Sequence, residues 1–241
     1  MILEVIATCV DDALTAEAAG ADRLELITAF TEGGLTPGIG LVEQTVKTVG
    51  IPVFVMVRPH SRSFVYSAHD IGTMQAEIRA IAAAGAAGVV LGALTPDGRV
   101  DEAALEALLP WADGLEVTFH RAFDELEDRL AGLRTLARYP QITRVLTSAG
   151  AGSAMDAASA LRALAEESAR LQGPNILAGG GLKPQGIREF VAASGVEEVH
   201  FGTAVRRGRD ALSPIDPAVL RALADTLKAG TGKTFEGEAQ A

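Results

Sequence analysis

The sequence predicts an α/β fold, a single (β/α)8 TIM barrel, and three observations carry that expectation. Strand-like and helix-like runs alternate strictly along the chain, eight of each. Three phrases resemble one another: AAGADRLEL (18–26), AAGAAGVVLG (83–92) and ASGVEEVHFG (193–202), each an Ala-rich helical stretch stopped by glycine shortly before a strand. With 241 residues and 48% apolar content, the chain can bury the core of one such barrel. Strict alternation argues for a parallel sheet, and eight units argue for closure rather than an open doubly wound sheet, which is the alternative.

In chain order, the apolar run near 2–7 is a first strand, because no basic leader precedes it and acids follow at once. A helical pattern near 10–19 ends at Gly20 and feeds the strand near 23–27. Thr36-Pro37 supplies a cap and a first-turn proline for the helix near 38–48. The strand near 52–58, the helix near 69–84 and the strand near 88–92 follow, and Asp101 caps the helix near 101–112. After the strand near 114–119, Asp124 with Glu127 forms a capping-box pattern for the helix near 125–138. The remaining strands fall near 143–147, 175–178 and 197–201, with helices near 154–171, 185–193 and 216–228. The barrel domain therefore spans 1–229, and the small, polar residues 230–241 read as a frayed tail.

Helices seal the outside of a barrel, so charged residues alternating with apolar ones along its strands must point inward. That parity turns Glu4, Arg23, Glu25, Arg58, Glu116, Thr118, His120 and His200 toward the centre. A structural ion-pair network accounts for Glu4 and Glu116, which lie early or midway along their strands. Glu25, Arg58 and His120 end their strands at the rim where barrel enzymes keep their chemistry, which makes them the candidate catalytic residues. Glu25 or His120 would act as acid or base and Arg58 as an electrophilic clamp.

The glycine-rich exits ILAGGGL (176–182) and HFGTAVRRG (200–208) are candidate phosphate or oxyanion seats, through Gly179, Gly180, Gly181, Gly202 and Thr203. Plain tight turns are the bland alternative. Thr147 and Ser148 add hydroxyl donors at the sixth exit, where they either bind ligand or start the next helix. The third exit, RPHSRSFVYSAHD (58–70), is long enough to fold over the mouth as a lid. His60 and His69 read as surface residues, and the fourth exit, GALTPDGRVD (92–101), carries a tight turn and no assigned chemistry. Lys183 lies past the glycines, which argues against a Schiff-base lysine. A divalent ion on Glu25, His120 and His200 is a further expectation, since mixed carboxylate and imidazole sets suit Zn or Mn.

The formal charge of −10 leaves no basic field for a nucleic-acid backbone, and no run is apolar for long enough to span a bilayer. One cysteine, Cys9, permits neither an internal disulfide nor a Cys-rich zinc site; alone it reads as a small buried hydrophobe. These features predict a cytoplasmic protein whose partner is a small molecule or a metal. A barrel enzyme (lyase, isomerase or hydrolase) acting on a small carbonyl or sugar compound, with or without a phosphate, is one reading, and a non-catalytic scaffold another. A homo-oligomer stays open, because barrels often pair through their outer helices.

With these residues in view, the chain resembles the CutC family over Leu3 to about Gly202. The motifs are GADRLEL (20–26), EGGLTPG (32–38), RP followed by FVYS (58–59, 64–67), TFHRAFD (118–124), LTS (146–148), AGGG (178–181) and EVH (198–200). The resemblance implies a TIM barrel, a part in copper homeostasis and copper binding. It ties copper to cysteines in the first strand and just after the second, where this chain has Ile6 and Ile27. Copper handling would here fall to Cys9, a methionine or the inward histidines. The family's basic-glycine-acid segment after Arg-Pro reads His60-Ser61-Arg62-Ser63.

Overall fold

The structure, a computed structural model, describes residues 1–229. The tail expected at 230–241 lies outside the described residues. Eight parallel strands close into a barrel in sequence order, with β1 beside β8. The elements are β1 (Ile2–Ala7), α1 (Val10–Ala18), β2 (Arg23–Leu26), α2 (Ile39–Thr48), β3 (Val53–Met56), α3 (Ala68–Ala83), β4 (Gly88–Leu91), α4 (Glu102–Leu108), β5 (Glu116–Phe119), α5 (Arg129–Leu136), β6 (Ile142–Thr147), α6 (Ala158–Leu171), β7 (Asn175–Gly179), α7 (Ile187–Ser194), β8 (Glu198–Phe201) and α8 (Pro217–Ala229). The closed sheet confirms the predicted barrel and rules out the open alternative.

Outward strand residues such as Val5, Leu24, Val55, Val89, Val117, Val145, Ala178 and Val199 are fully covered and merge with the apolar helix faces into one ring-shaped core. A second, smaller apolar cluster fills the barrel itself: Ile6, Ile27, Phe54, Met56 and Val90. It separates a charged floor from the mouth formed by the strands' C-terminal ends.

Three helix starts differ from what local pattern suggests. Gly38, not Thr36, precedes α2, and no side chain caps that helix. Thr36 instead accepts from the Arg58 backbone N–H at 2.9 Å and donates to Glu77 at 2.8 Å, so it ties the second exit to the third. Asp128, not Asp124, caps α5 by accepting from the Ala131 N–H at 2.9 Å. Asp124 sits in a short 3-10 turn, Arg121–Glu125, and its carboxylate turns toward the sixth exit. Cys9 caps α1, accepting through Sγ from the Asp12 N–H at 3.4 Å, and is exposed rather than buried. Asp101 caps α4 as expected.

Candidate functional site

Register places the interior charges before any contact is considered. Glu4 on β1 is level with Arg23 on β2 and with His200 on β8. In a barrel, level inward residues on neighbouring strands touch. Arg23 accordingly pairs with Glu4 and, 2.5 Å away through Nη2, with Glu198. Arg144 on β6 reaches Glu198 at 3.3 Å and Glu116 at 2.5 Å. The two guanidinium groups stand over the Phe54 ring at 5.2 and 4.7 Å, which shields the floor from water. Arg144 and Glu198 escaped the sequence argument, although both follow the same inward parity. Glu116 departs from expectation: its side chain is 52% exposed, at the solvent end of the network.

From Glu4 the chain of contacts climbs to the mouth. His200 Nδ1 lies 2.7 Å from Glu4, and His200 Nε2 lies 3.7 Å from Glu25. Burial opposes ionisation of Glu4, but Arg23 and His200 outweigh it and hold the carboxyl down at about 2. Burial dominates at Glu25 and pushes its carboxyl up to about 7, against the pull of His200. His200 is raised, because Glu25 and Glu4 overcome the burial that disfavours its cation. Glu25, held protonated by burial more readily than an ordinary carboxyl, thus lies beside a histidine whose cation it and Glu4 favour, a buried acid–base couple.

Above the apolar layer opens a pocket of about 260 Å³. Glu25, Arg58, His120, His200, Gly180, Gly181, Gly202 and Thr203 line it together, beneath Phe64 from the third exit. Gly179 lies just below, level with His200 on the sheet. Phe64 packs against the His120 ring at 4.8 Å and the Arg58 guanidinium at 4.6 Å, so the third exit does cover part of the mouth. His60 faces Asp70 at 3.5 Å, His69 is exposed, and neither lines the pocket; nor does Lys183, which is also exposed.

Arg58 is 7% exposed, yet it has no carboxylate partner among the described residues. Its Nη1 donates to the Glu32 and Gly34 carbonyls, each at 3.2 Å, its Nε has no hydrogen-bond partner, and the Tyr66 hydroxyl stands close enough to feel its charge. A buried guanidinium left in this state calls for an anion. The seventh and eighth exits supply further donors. Gly180 and Gly181 have φ of 91° and 75°, a left-handed backbone that suits glycine. The N–H groups of Gly180, Gly181, Gly202 and Thr203 meet no acceptor among the described residues.

His120 behaves differently from the base that its position suggests. Its Nδ1 accepts the Ala122 N–H at 3.2 Å, which leaves the ring proton on Nε2. Nε2 is buried without a partner. Burial, then the Arg58 charge, drives the imidazole down to about 3. At neutral pH His120 is a neutral donor, neither a base nor a cation. Gly92 makes room for it: a Cβ there would stand 2.6 Å from Nδ1, a requirement visible only once the barrel has closed.

A pH dependence follows. The unfolded histidine binds a proton near pH 6.5 and the folded one does not until about 3, so this contribution to stability is complete above pH 6.5 and disappears as pH falls through that window. Relative to His120→Gln, which can still accept from Ala122, the native chain loses up to about 1.4 kcal/mol for each pH unit below 6.5. Urea unfolding of both proteins from pH 7 to pH 4 checks this; parallel pH profiles would contradict it.

The sixth exit does not open into the pocket. Thr147 and Ser148 are engaged by Asp124, which accepts from Thr147 Oγ1 at 2.5 Å and from the N–H groups of Ser148 and Gly150 at 3.0 Å. Arg121 closes this cluster with a 2.8 Å bond to Asp124 and reaches the pocket edge beside Gly180. Of the three residues expected to share a metal, His120 stands apart just past the end of β5, across the barrel from β1. The ligand atoms that do converge, all within 4.8 Å of one another, belong to Glu4, Glu25 and His200.

A family model described as the CutC family matches residues 1–205. The chain belongs to the CutC family. The human copper homeostasis protein cutC homolog is 39% identical over 200 residues, covering 83% of this chain and 72% of its own length. A CutC family protein of Agrobacterium fabrum is 41% identical over 207 residues, 83% of this chain and 78% of its own. A solved CutC structure from Streptococcus agalactiae superposes with a TM-score of 0.78 at 28% identity, covering 83% of this chain and 97% of that one. As a CutC-family barrel, the chain has its whole pocket within the matched region: every lining residue, from Ile6 to Ala204, falls inside 1–205.

Proposed function

We propose that this CutC-family barrel binds a small anionic molecule at its mouth and performs acid–base chemistry on it. The observation that carries the reading is Arg58, a buried guanidinium without a carboxylate, facing a pocket rimmed by free backbone N–H groups. Glu25 supplies an acid or base that changes charge near neutrality, with His200 beside it. A pocket of about 260 Å³ suits a molecule smaller than a typical drug. The anion is a phosphate or carboxylate, seated on Gly180, Gly181, Gly202 and Thr203, with Arg58 holding a second polar group. We place the protein in the cytoplasm, with small molecules rather than nucleic acid or membrane as partners. Assembly through the outer helices belongs to the same reading.

Copper homeostasis, the role in the names of the human and mouse relatives, would require a site for the metal. Soft sulfur ligands select Cu(I), and this pocket has Ile6 and Ile27 where the family resemblance places cysteines. Cys9 is exposed at the start of α1 and does not line the pocket. Glu4, Glu25 and His200 offer two carboxylates and an imidazole, a set better suited to a divalent ion such as Zn or Mn. Arg23 already pairs with Glu4 and sets a positive charge against that position. Met56 is the one sulfur donor among the pocket-lining residues, and a lone thioether without a thiolate is a poor match to Cu(I), so the trio reads as an acid–base chain rather than a cation's cage.

Calorimetric titration with 2-phosphoglycolate tests the proposal. Binding is expected, and Arg58→Met should weaken it roughly tenfold or more, about 1.4 kcal/mol. Equal affinity for both proteins would remove Arg58 from the site. In parallel, competition for Cu(I) against a chromogenic chelator should reveal no site tighter than micromolar; a tight stoichiometric site would restore the copper role.

A further inference from the structure

Three pocket-lining residues carry a buried side-chain atom with no hydrogen-bond partner: Glu25 through Oε1, Arg58 through Nε and His120 through Nε2. Native interiors seldom leave such atoms unpaired, and here the three residues that carry them line one small cavity, each unpaired atom lying just behind its surface. Their chemistry is complementary. Arg58 Nε–H and His120 Nε2–H are fixed donors, held in place by the same Phe64 ring. Ala122 locks the His120 tautomer from the other side. Glu25 is a carboxyl whose second oxygen already faces His200. Two donors and one carboxyl around a cavity form the arrangement needed to move a proton at carbon while holding the resulting negative oxygen.

We infer that the pocket catalyses proton transfer at the carbon next to a carbonyl in a small phosphorylated aldehyde or ketone. The inference rests on the anion-binding reading above and names its reaction. The Glu25 carboxylate takes the proton from the carbon beside the carbonyl, and the C–H electron pair forms a C=C bond. The carbonyl π pair moves onto oxygen, which accepts from Arg58 and His120. Return of the Glu25 proton to the same carbon exchanges it; return to the neighbouring carbon of a hydroxy-carbonyl compound, with a proton shift between the oxygens, isomerises it. No oxidant or co-reactant is needed. His120 serves as a neutral electrophile and keeps its proton throughout, because Nδ1 already accepts from Ala122. His200 and Glu4 are positioning residues: Glu4 orients the imidazole through Nδ1, and His200 presents Nε2 to Glu25.

The test uses the full chain with hydroxyacetone phosphate, dihydroxyacetone phosphate and glyceraldehyde 3-phosphate in D2O, followed by proton NMR, alongside 2-phosphoglycolate binding. Exchange of a hydrogen beside the carbonyl is expected at least a hundredfold faster than in buffer for one of these compounds. Glu25→Gln and His120→Gln, each checked for an intact fold by circular dichroism, should lose about a hundredfold of that rate. Glu25→Gln should still bind 2-phosphoglycolate. If the native chain binds 2-phosphoglycolate yet exchanges none of the three compounds, the proton-transfer inference is overturned and the binding reading stands. If 2-phosphoglycolate does not bind, both fall. Nitrogen-15 NMR of the His120 ring adds a readout free of turnover: Nε2 protonated and Nδ1 bare at pH 7 is expected, and the opposite tautomer would overturn the electrophile role.

Discussion

Replacing Arg23 with methionine is expected to lower the unfolding free energy by about 3–5 kcal/mol, the cost of breaking a buried ion pair by removing one partner. Arg23 stands between Glu4 and Glu198, and all three are almost fully buried. Without the guanidinium, two carboxylates remain in the barrel floor, with Arg144 near only one of them. Methionine keeps an unbranched stem but supplies neither the charge nor the guanidinium that stands over Phe54. Urea denaturation at pH 7 reads the effect. The triple change Glu4→Gln, Arg23→Met, Glu198→Gln should recover much of the loss, because it removes the stranded charges along with their partner. An Arg23→Met protein within about 1 kcal/mol of the native chain would mean that the floor is hydrated and that the network does not seal the barrel.

The second large effect is expected at Asp124, where alanine should cost about 2–4 kcal/mol by leaving charge-assisted hydrogen bonds unmade. This carboxylate gathers the Thr147 hydroxyl, the Ser148 hydroxyl and N–H, the Gly150 N–H and the Arg121 guanidinium. Thr147 and Ser148 are buried, so water cannot simply replace the lost acceptor. Arg121, freed from Asp124, would then move at the pocket edge, and anion affinity should change along with stability. Asparagine should recover part of the stability, since it retains an acceptor oxygen. Hydrogen exchange at the Ser148 amide gives a local check: strong protection in the native chain, lost in Asp124→Ala. Unchanged protection would show that the sixth exit holds itself together.

The sequence was legible where one periodicity decided the matter. Alternation along β1, β2 and β5 turned Glu4, Glu25 and His120 inward, and the structure has them there because helices cover every alternate residue. Pattern alone misplaced the helix starts. Asp124 and Glu127 have capping-box spacing, but Asp128 serves the helix, because the five-residue turn from Arg121 carries Asp124 back toward β6. Partnerships across the closed sheet were not legible either. Glu4 and His200 are 196 residues apart and meet only because β8 returns to β1 in a fixed register. The role of His120 depended on a single backbone bond from Ala122, which no residue pattern announces. Gly92 carried no signal of its own, and its role shows only where the His120 ring occupies the space its side chain would need.

The central claim, that an anion sits between Arg58 and the glycine exits, is tested most directly by amide and guanidinium NMR during a titration with inorganic phosphate. The largest saturable shifts are expected at the N–H groups of Gly180, Gly181, Gly202 and Thr203, with the Arg58 Nε resonance moving on addition of 2-phosphoglycolate. Saturable shifts confined to other surfaces, or none at these groups, would contradict it.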